Sequence, residues 1–420
     1  MTMDFIEFAP TPTESARRAY DASLILASTK GSDRDRAIAA FAEALHDRQA
    51  EILEANTLDL EASRDMAVPD LILDWLKLTP ERLQIAVQIL QRLVQISDPI
   101  RRVMATDYQV EYSQTYCQLM PLGVVALIYE AFPELGAIAA GMCLKTGNSL
   151  LLKGSSEASH TNLAIAQLLK SALEKTNLPS GCIEPIAPEG NTAIRELVCQ
   201  NRYLSLVIPH GRPSLIQPIL QQATVPVLQS AMGNCYLYWS PSGSLDLARW
   251  AILDSHQSQP DPVNAIEKVL IHPNLKSSSL TTLWHSLQEK GFEIRGDEAL
   301  VREFPDLPLA QSWEWHQAYL SRTIAFKTID SLEAAISWIN QYSSGHANCL
   351  VTESYEESCK FTVGVNSAAT YINASPRFTR NPKRGNSILL GMSNQKGDRR
   401  GFIGLEALTR VKHVIQGFGN

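Results

Sequence analysis

The chain has seven cysteines between Cys117 and Cys359, but no two stand in a CxxC spacing and none joins a histidine cluster at ligand spacing. That argues against a zinc site or a disulfide framework and fits reduced thiols in a cytoplasmic protein that holds no metal. No stretch reaches the roughly 18 uninterrupted apolar residues of a membrane span. Met1 to Thr11 carries acidic residues where a signal peptide carries basic ones, so a soluble, unprocessed protein with no membrane partner is expected. Basic residues are scattered among a slight acidic excess, with 37 Lys and Arg against 44 Asp and Glu, which leaves no stripe for nucleic acid. Internal repeats, low-complexity tracts and the three-glycine dinucleotide fingerprint are also missing. Small-molecule chemistry is what remains.

A chain of 420 residues with 45% hydrophobic content exceeds what one core supports, so at least two domains are expected. Apolar residues recur at helical spacing from Glu14 to about Leu60, as in Ala37, Phe41 and Leu45, and predict a helical layer. Thr79 followed by Pro80 predicts the start of a helix whose buried face is Leu83, Val87, Leu90 and Val94. Strand-like alternation between Gln109 and Gln118 precedes Pro121 to Ile128, which reads as a strand buried on both faces. Strands are then expected at 149–152, 204–208 and 234–239, and helices at 159–174 and 214–222, the alternation of a covered parallel sheet. A domain boundary is placed near Asn234 to Ser242, and a second α/β unit follows. Arg377 to Asp398 reads as a basic loop, and Gly404 to Gly417 mixes helix and strand signals.

Two strand-to-helix junctions could bind a nucleotide. Lys153-Gly-Ser-Ser-Glu157 offers a cation, Lys153, and hydroxyl donors, Ser155 and Ser156, at the end of a strand; it also reads as an ordinary turn with a solvated lysine. Ile208-Pro-His210-Gly211-Arg212-Pro-Ser214 leaves a second strand for a helix N-terminus, with Arg212 as its charge, and again either a pyrophosphate site or a plain turn fits.

Several segments together resemble gamma-glutamyl phosphate reductase, the glutamate-5-semialdehyde dehydrogenase of the aldehyde dehydrogenase superfamily. They are Pro121 to Ala131, Cys143 to Asn148, Lys153 to Ala158, Tyr371 to Thr379 and Gly404 to Thr409, and the similarity runs over nearly the whole chain. The resemblance implies an α/β fold with a Rossmann-type dinucleotide-binding domain, residues 1–106 and 121–233. It also implies a catalytic-type α/β domain at 234–399, and oligomerisation elements at 107–120 and 400–420 that serve a homo-oligomer. It further implies reduction of L-glutamyl 5-phosphate to the semialdehyde and phosphate with NADPH, the second step of proline synthesis, through a cysteine thioester. Lys153, Ser155, Ser156, Glu157, His210, Gly211 and Arg212 are then the expected cofactor contacts, and Asn264, His346 and Arg377 the expected substrate contacts. Lys383, Arg384, Arg399 and Arg400 read either as an anion site or as a solvated loop.

The chain departs from the family at the reacting centre. The nucleophile stretch corresponds to Ser258-Gln-Pro-Asp-Pro-Val-Asn264, and its cysteine position is Val263, which forms no adduct with a carbonyl. An expected arginine and asparagine are Phe132 and Glu134, a further arginine is Gln259, and the glutamate of the cofactor-contacting stretch is Ala318. The family's glycine-rich loop has become Arg384 to Leu389. Cys235 reads as a buried structural thiol or a substitute nucleophile. Two expectations follow: an enzyme of the family that works without the cysteine, or a non-catalytic paralogue that binds NADPH, a glutamate derivative, or an active reductase or kinase subunit.

Overall fold

The computed structural model describes residues 10–187, 191–257, 263–397 and 400–418. The chain divides into two compact units, one formed by residues 1–230, 380–390 and 403–420 and the other by 231–379 and 391–402.

The first unit is organised on parallel strands in the order Ile183–Pro185, Ser149–Lys153, Val124–Tyr129, Leu206–Gly211. A short strand, Ser230–Ala231, follows at the edge, and the division between the units falls within it. Every residue of Val124–Tyr129 is buried, as its unbroken apolar run requires of a strand covered on both faces. Helix Glu134–Lys145 is buried along all its length, which its alanine and glycine content allows. A Cβ on Gly141 would press on the Leu90 and Leu93 side chains of helix Pro80–Gln95, so glycine sets that helix spacing. Thr79 accepts from the Arg82 amide and caps that helix, with Pro80 at its first position. The N-terminal layer consists of Pro12–Leu26, Gly31–Asp47 and Gln49–Asp65.

Ser113–Pro121 pairs antiparallel with Thr409–Gly417 over nine residue pairs, and Val103–Met104 adds a third strand. The strand therefore starts later than the alternation from Gln109 suggests. Arg380–Leu390, expected in the second domain, packs within the first unit, where Arg92 donates to Asn381 Oδ1 at 2.6 Å and to the carbonyls of Pro382 and Gly385.

The second unit holds a six-stranded parallel sheet in the order Glu293–Gly296, Thr323–Thr328, Ile266–Ile271, Cys235–Trp239, Ala347–Val351, Ala369–Ile372. The pairing of Cys235–Trp239 with Ile266–Ile271 is interrupted: Cys235 faces Ile266 and Tyr236 faces Lys268, which leaves Glu267 as an extra residue in a bulge. Among the described residues, no helix is long and apolar enough to cross a membrane.

Candidate active site

Strand order in the first unit reverses direction between Val124–Tyr129 and Leu206–Gly211, and open α/β sheets take ligands outside the strand ends at such a point. A cavity of about 410 Å³ lies there, lined by Tyr129, Glu130, Lys153, Ser155, Ser156 and Glu157 among others. Lys153 ends its strand almost fully buried, and burial lowers its pKa against the opposing pull of Glu157. Its ammonium donates to the Gly154 carbonyl at 3.1 Å. The Ser155 hydroxyl is buried without a partner, while Ser156 donates to Glu157 at 3.2 Å. A buried cation and an orphaned hydroxyl on the wall of this cavity fit the polar part of a nucleotide.

The second junction is not the loop its sequence suggests. The strand continues through Pro209, His210 and Gly211, with His210 paired opposite Tyr129. His210 is buried, its Nδ1 is 2.8 Å from the Ser230 hydroxyl, and its ring meets Phe132 edge-on at 5.3 Å, so it is a packing residue. Gly211 has φ +152° and leaves room for Glu130, which a Cβ there would touch at 3.0 Å. Arg212 does not face a ligand freely: its Nε and Nη2 donate to Glu130 Oε1 at 3.0 and 2.5 Å, and that bond raises its pKa. Glu130 takes the charge expected to meet a pyrophosphate.

The positions where the family carries arginine and asparagine have turned inward. Ala131 and Phe132 hold left-handed backbones, φ +50° and +45°, unusual for residues with a Cβ. Phe132 is fully buried and stacks on Trp75 at 4.9 Å. Glu134 forms a buried pair with Arg82 at 2.7 Å, and Arg82 also donates to the Trp75 carbonyl. Both changed side chains are absorbed by packing partners of their own unit.

In the second unit, Val263 is fully buried and its carbonyl accepts from the Gly233 amide at 2.9 Å. A Cβ on Gly233 would collide with the Val263 carbonyl and the Cys235 sulfur and stand 3.2 Å from the His346 Cβ, so these residues converge around one glycine. Cys235 has no exposure, and burial pushes its thiol up to about 12, which keeps it protonated and unreactive. The substitute-nucleophile reading of Cys235 therefore has no physical support. His346 is buried beside the Ser344 hydroxyl at 2.9 Å, and burial lowers it to about 4. Being neutral, it lacks the charge expected for a carboxylate or phosphate contact. Asn264 is buried with neither carboxamide atom partnered.

Arg377 is exposed, with Asp254 3.4 Å away. The four basic residues that read either as an anion site or as a solvated loop are divided between the units. Lys383 and Arg384 belong to the first unit, and Arg400, in the second, donates to the Gly345 and Asn366 carbonyls at 3.1 and 2.7 Å. Arg399, Gln259 and Pro260 lie outside the described residues. Among the described residues, no group of three or more His, Cys, Asp or Glu could hold a metal.

Glu267 and Lys268 are not among the site residues expected from the sequence. Both Glu267 oxygens are taken by backbone amides, Tyr319 at 2.5 Å and Leu320 at 2.8 Å. Lys268 places its ammonium 3.4 Å from the Tyr319 ring centroid and 3.9 Å from Glu267. Burial raises the glutamate and lowers the lysine. Two charges inside the six-residue strand Ile266–Ile271 were the available signal, since such residues are seldom fully buried.

The profile of the aldehyde dehydrogenase family matches residues 11–233. Gamma-glutamyl phosphate reductase 2 of Synechocystis sp. is 54% identical over 400 residues, 95% of each chain. The gamma-glutamyl phosphate reductase of Gloeobacter violaceus is 38% identical over 96% of both. Among solved structures, the gamma-glutamyl phosphate reductase of Thermotoga maritima superposes with a TM-score of 0.89 at 32% identity, over 98% of this chain and 99% of that one. A propionaldehyde dehydrogenase from Clostridium phytofermentans, at 11% identity and a TM-score of 0.71 over 97% of both chains, shows the fold alone.

Proposed function

The chain belongs to the aldehyde dehydrogenase family, among the gamma-glutamyl phosphate reductases, and on that premise we propose that it reduces gamma-glutamyl phosphate to glutamate 5-semialdehyde and phosphate without a covalent thioester. The family implies a nicotinamide cofactor and a small-molecule substrate. NADP(H) is the form proposed, because Lys153 beside Ser155 and Ser156 offers a cation and hydroxyls to an extra phosphate.

Identity over 95% of the chain to a relative bearing the reductase name carries this reading. Val263 shapes its mechanism. With no thiol at that position and Cys235 held protonated, the acyl group is not transferred to the chain. When bound, the reduced nicotinamide supplies a hydride. The chain's own contribution is to bind and orient. Asn264 keeps an unpartnered carboxamide for the acyl oxygen, where developing negative charge is stabilised most by a donor already in place. Arg377, exposed beside Asp254, offers a guanidinium to the substrate's anionic groups. The antiparallel strand Thr409–Gly417 has both faces largely uncovered and is proposed as the contact of a homo-oligomer.

The test is phosphate-dependent oxidation of glutamate 5-semialdehyde with NADP, run on the parent and on Val263→Cys, beside a titration of NADPH binding. Turnover by the parent is the expected result. NADPH binding without turnover in the parent, with turnover in Val263→Cys, would overturn the reading and make the chain a binding paralogue.

A further inference from the structure

The bulge at Glu267 aims two neighbouring side chains at one target. Successive residues of a regular strand point to opposite faces, so Glu267 and Lys268 ought to diverge. The extra residue between the Cys235–Ile266 and Tyr236–Lys268 pairings breaks that alternation, and both side chains reach the Tyr319–Leu320 turn. Bulges re-aim side chains in this way and are concentrated near functional sites. The turn is itself under strain: Leu320 holds φ +54° with a branched side chain. The carboxylate that accepts from both amides braces that conformation.

Lys268 completes the arrangement. Its ammonium is buried with no hydrogen-bond acceptor, and its counter-charge is Glu267 together with the face of Tyr319. The Tyr319 hydroxyl donates to Glu314 at 2.6 Å, and Glu314 is paired with Arg295 at 3.0 Å. The groups that face the carboxylate are therefore Lys268 on its own strand, Tyr319 on the turn, Cys235 on the adjacent strand, and Glu314 and Arg295 behind the tyrosine.

We propose that Glu267 is a positioning residue: while ionised, with Lys268 as its counter-charge, it holds the Tyr319–Leu320 turn against the strand segment that follows Val263 and Asn264. Burial opposes its charged form, so Glu267 takes up a proton at higher pH than an ordinary carboxyl. A protonated carboxyl accepts one of the two amides well and presents its own hydrogen to the other. The turn, whose Ser321 amide also bonds this carboxylate, then loses one of its amide anchors as pH falls through the neutral range. The inference draws on the proposed function only for the turn's purpose, since the resemblance places a cofactor contact at the adjoining Ala318. Its test does not depend on turnover, so failure of one is distinguishable from failure of the other.

Amide hydrogen exchange, read by mass spectrometry on peptides spanning 317–322 and corrected for intrinsic rates, is followed from pH 8.5 to pH 6. The parent should lose protection at Tyr319 and Leu320 by about tenfold across that range, as expected when one charge-assisted bond is lost. Lys268→Arg should keep the profile. Glu267→Gln should be poorly protected at every pH, and Glu267→Gln/Lys268→Met, which leaves no charge unpaired, keeps the question answerable where the single variant fails to fold. A flat profile in the double variant supports the proposal. Constant protection in the parent, or the parent's pH profile persisting in the double variant, overturns it.

Discussion

Two groups of ionisable side chains, one in each unit, are placed in opposite ways. In the first, Lys153 and Glu130 stand at the ends of strands on the wall of a cavity, and Arg212, just beyond its strand, is paired with Glu130. In the second, Glu267 and Lys268 lie within a strand, fully buried, and their partners are other parts of the same unit. Val263, Cys235 and His346 are closed in as well, and Asn264 is buried with its carboxamide left unpartnered. The rim of the first sheet keeps the donor types a nucleotide needs. The second has lost its thiol and spends its charges on holding backbone.

The comparison breaks most visibly if the buried pair of the second unit proves dispensable. Glu267→Gln should lose about 3–5 kcal/mol in urea unfolding, because it leaves the Lys268 ammonium buried without a counter-charge. Replacing both partners, Glu267→Gln with Lys268→Met, should be neutral or stabilise by about 1–4 kcal/mol. Equal losses in the single and double variants would mean that the charges do not interact.

A loss of about 3 kcal/mol is expected when His346 must take up a proton. Its folded pKa, about 4, lies below the ordinary value of 6.5. The stability this supports is therefore complete above about pH 6.5 and lost as pH falls through about 4. Unfolding midpoints of the parent and of His346→Gln, compared between pH 7 and pH 4, should converge in acid.

The first unit's rim is sharpened by Lys153→Ala, which should weaken NADPH binding by about tenfold or more, the worth of a charge-assisted hydrogen bond. Arg212→Ala should change it far less, since that guanidinium serves Glu130. The reverse order would return Arg212 to the binding role its sequence suggests. Smallest is Thr79→Ala, a loss of about 1 kcal/mol for one N-cap, measurable by thermal unfolding.

Where one local rule governs an element, the sequence was enough to place it. Helix Ser159–Glu174, the cap at Thr79 and strand Ser149–Lys153 follow from periodicity, capping chemistry and an apolar run. Strand Leu206–Gly211, expected at 204–208, was missed at its end, because Pro209 and Gly211 are turn signals and the strand runs through both while pairing with Ile128 and Tyr129. The site divides in the same way. Lys153, Ser155, Ser156 and Glu157, adjacent in the chain, share one cavity wall. His210 and Arg212 owe their roles to Ser230, Phe132 and Glu130, 20 residues or more away in the chain, and no local pattern announces such partners. The Glu267 bulge belongs to the same class, since it exists only in the pairing of two strands.

In the proposed reaction this chain handles an acyl phosphate without forming a thioester. Intact-mass measurement of the protein mixed with gamma-glutamyl phosphate, with NADPH consumption followed in parallel, tests it most directly. The predicted result is consumption of NADPH with no added mass on the parent, and one glutamyl adduct per chain on Val263→Cys when NADPH is withheld. An adduct on the parent, mapped to Cys235 or to any other of its thiols, would contradict it.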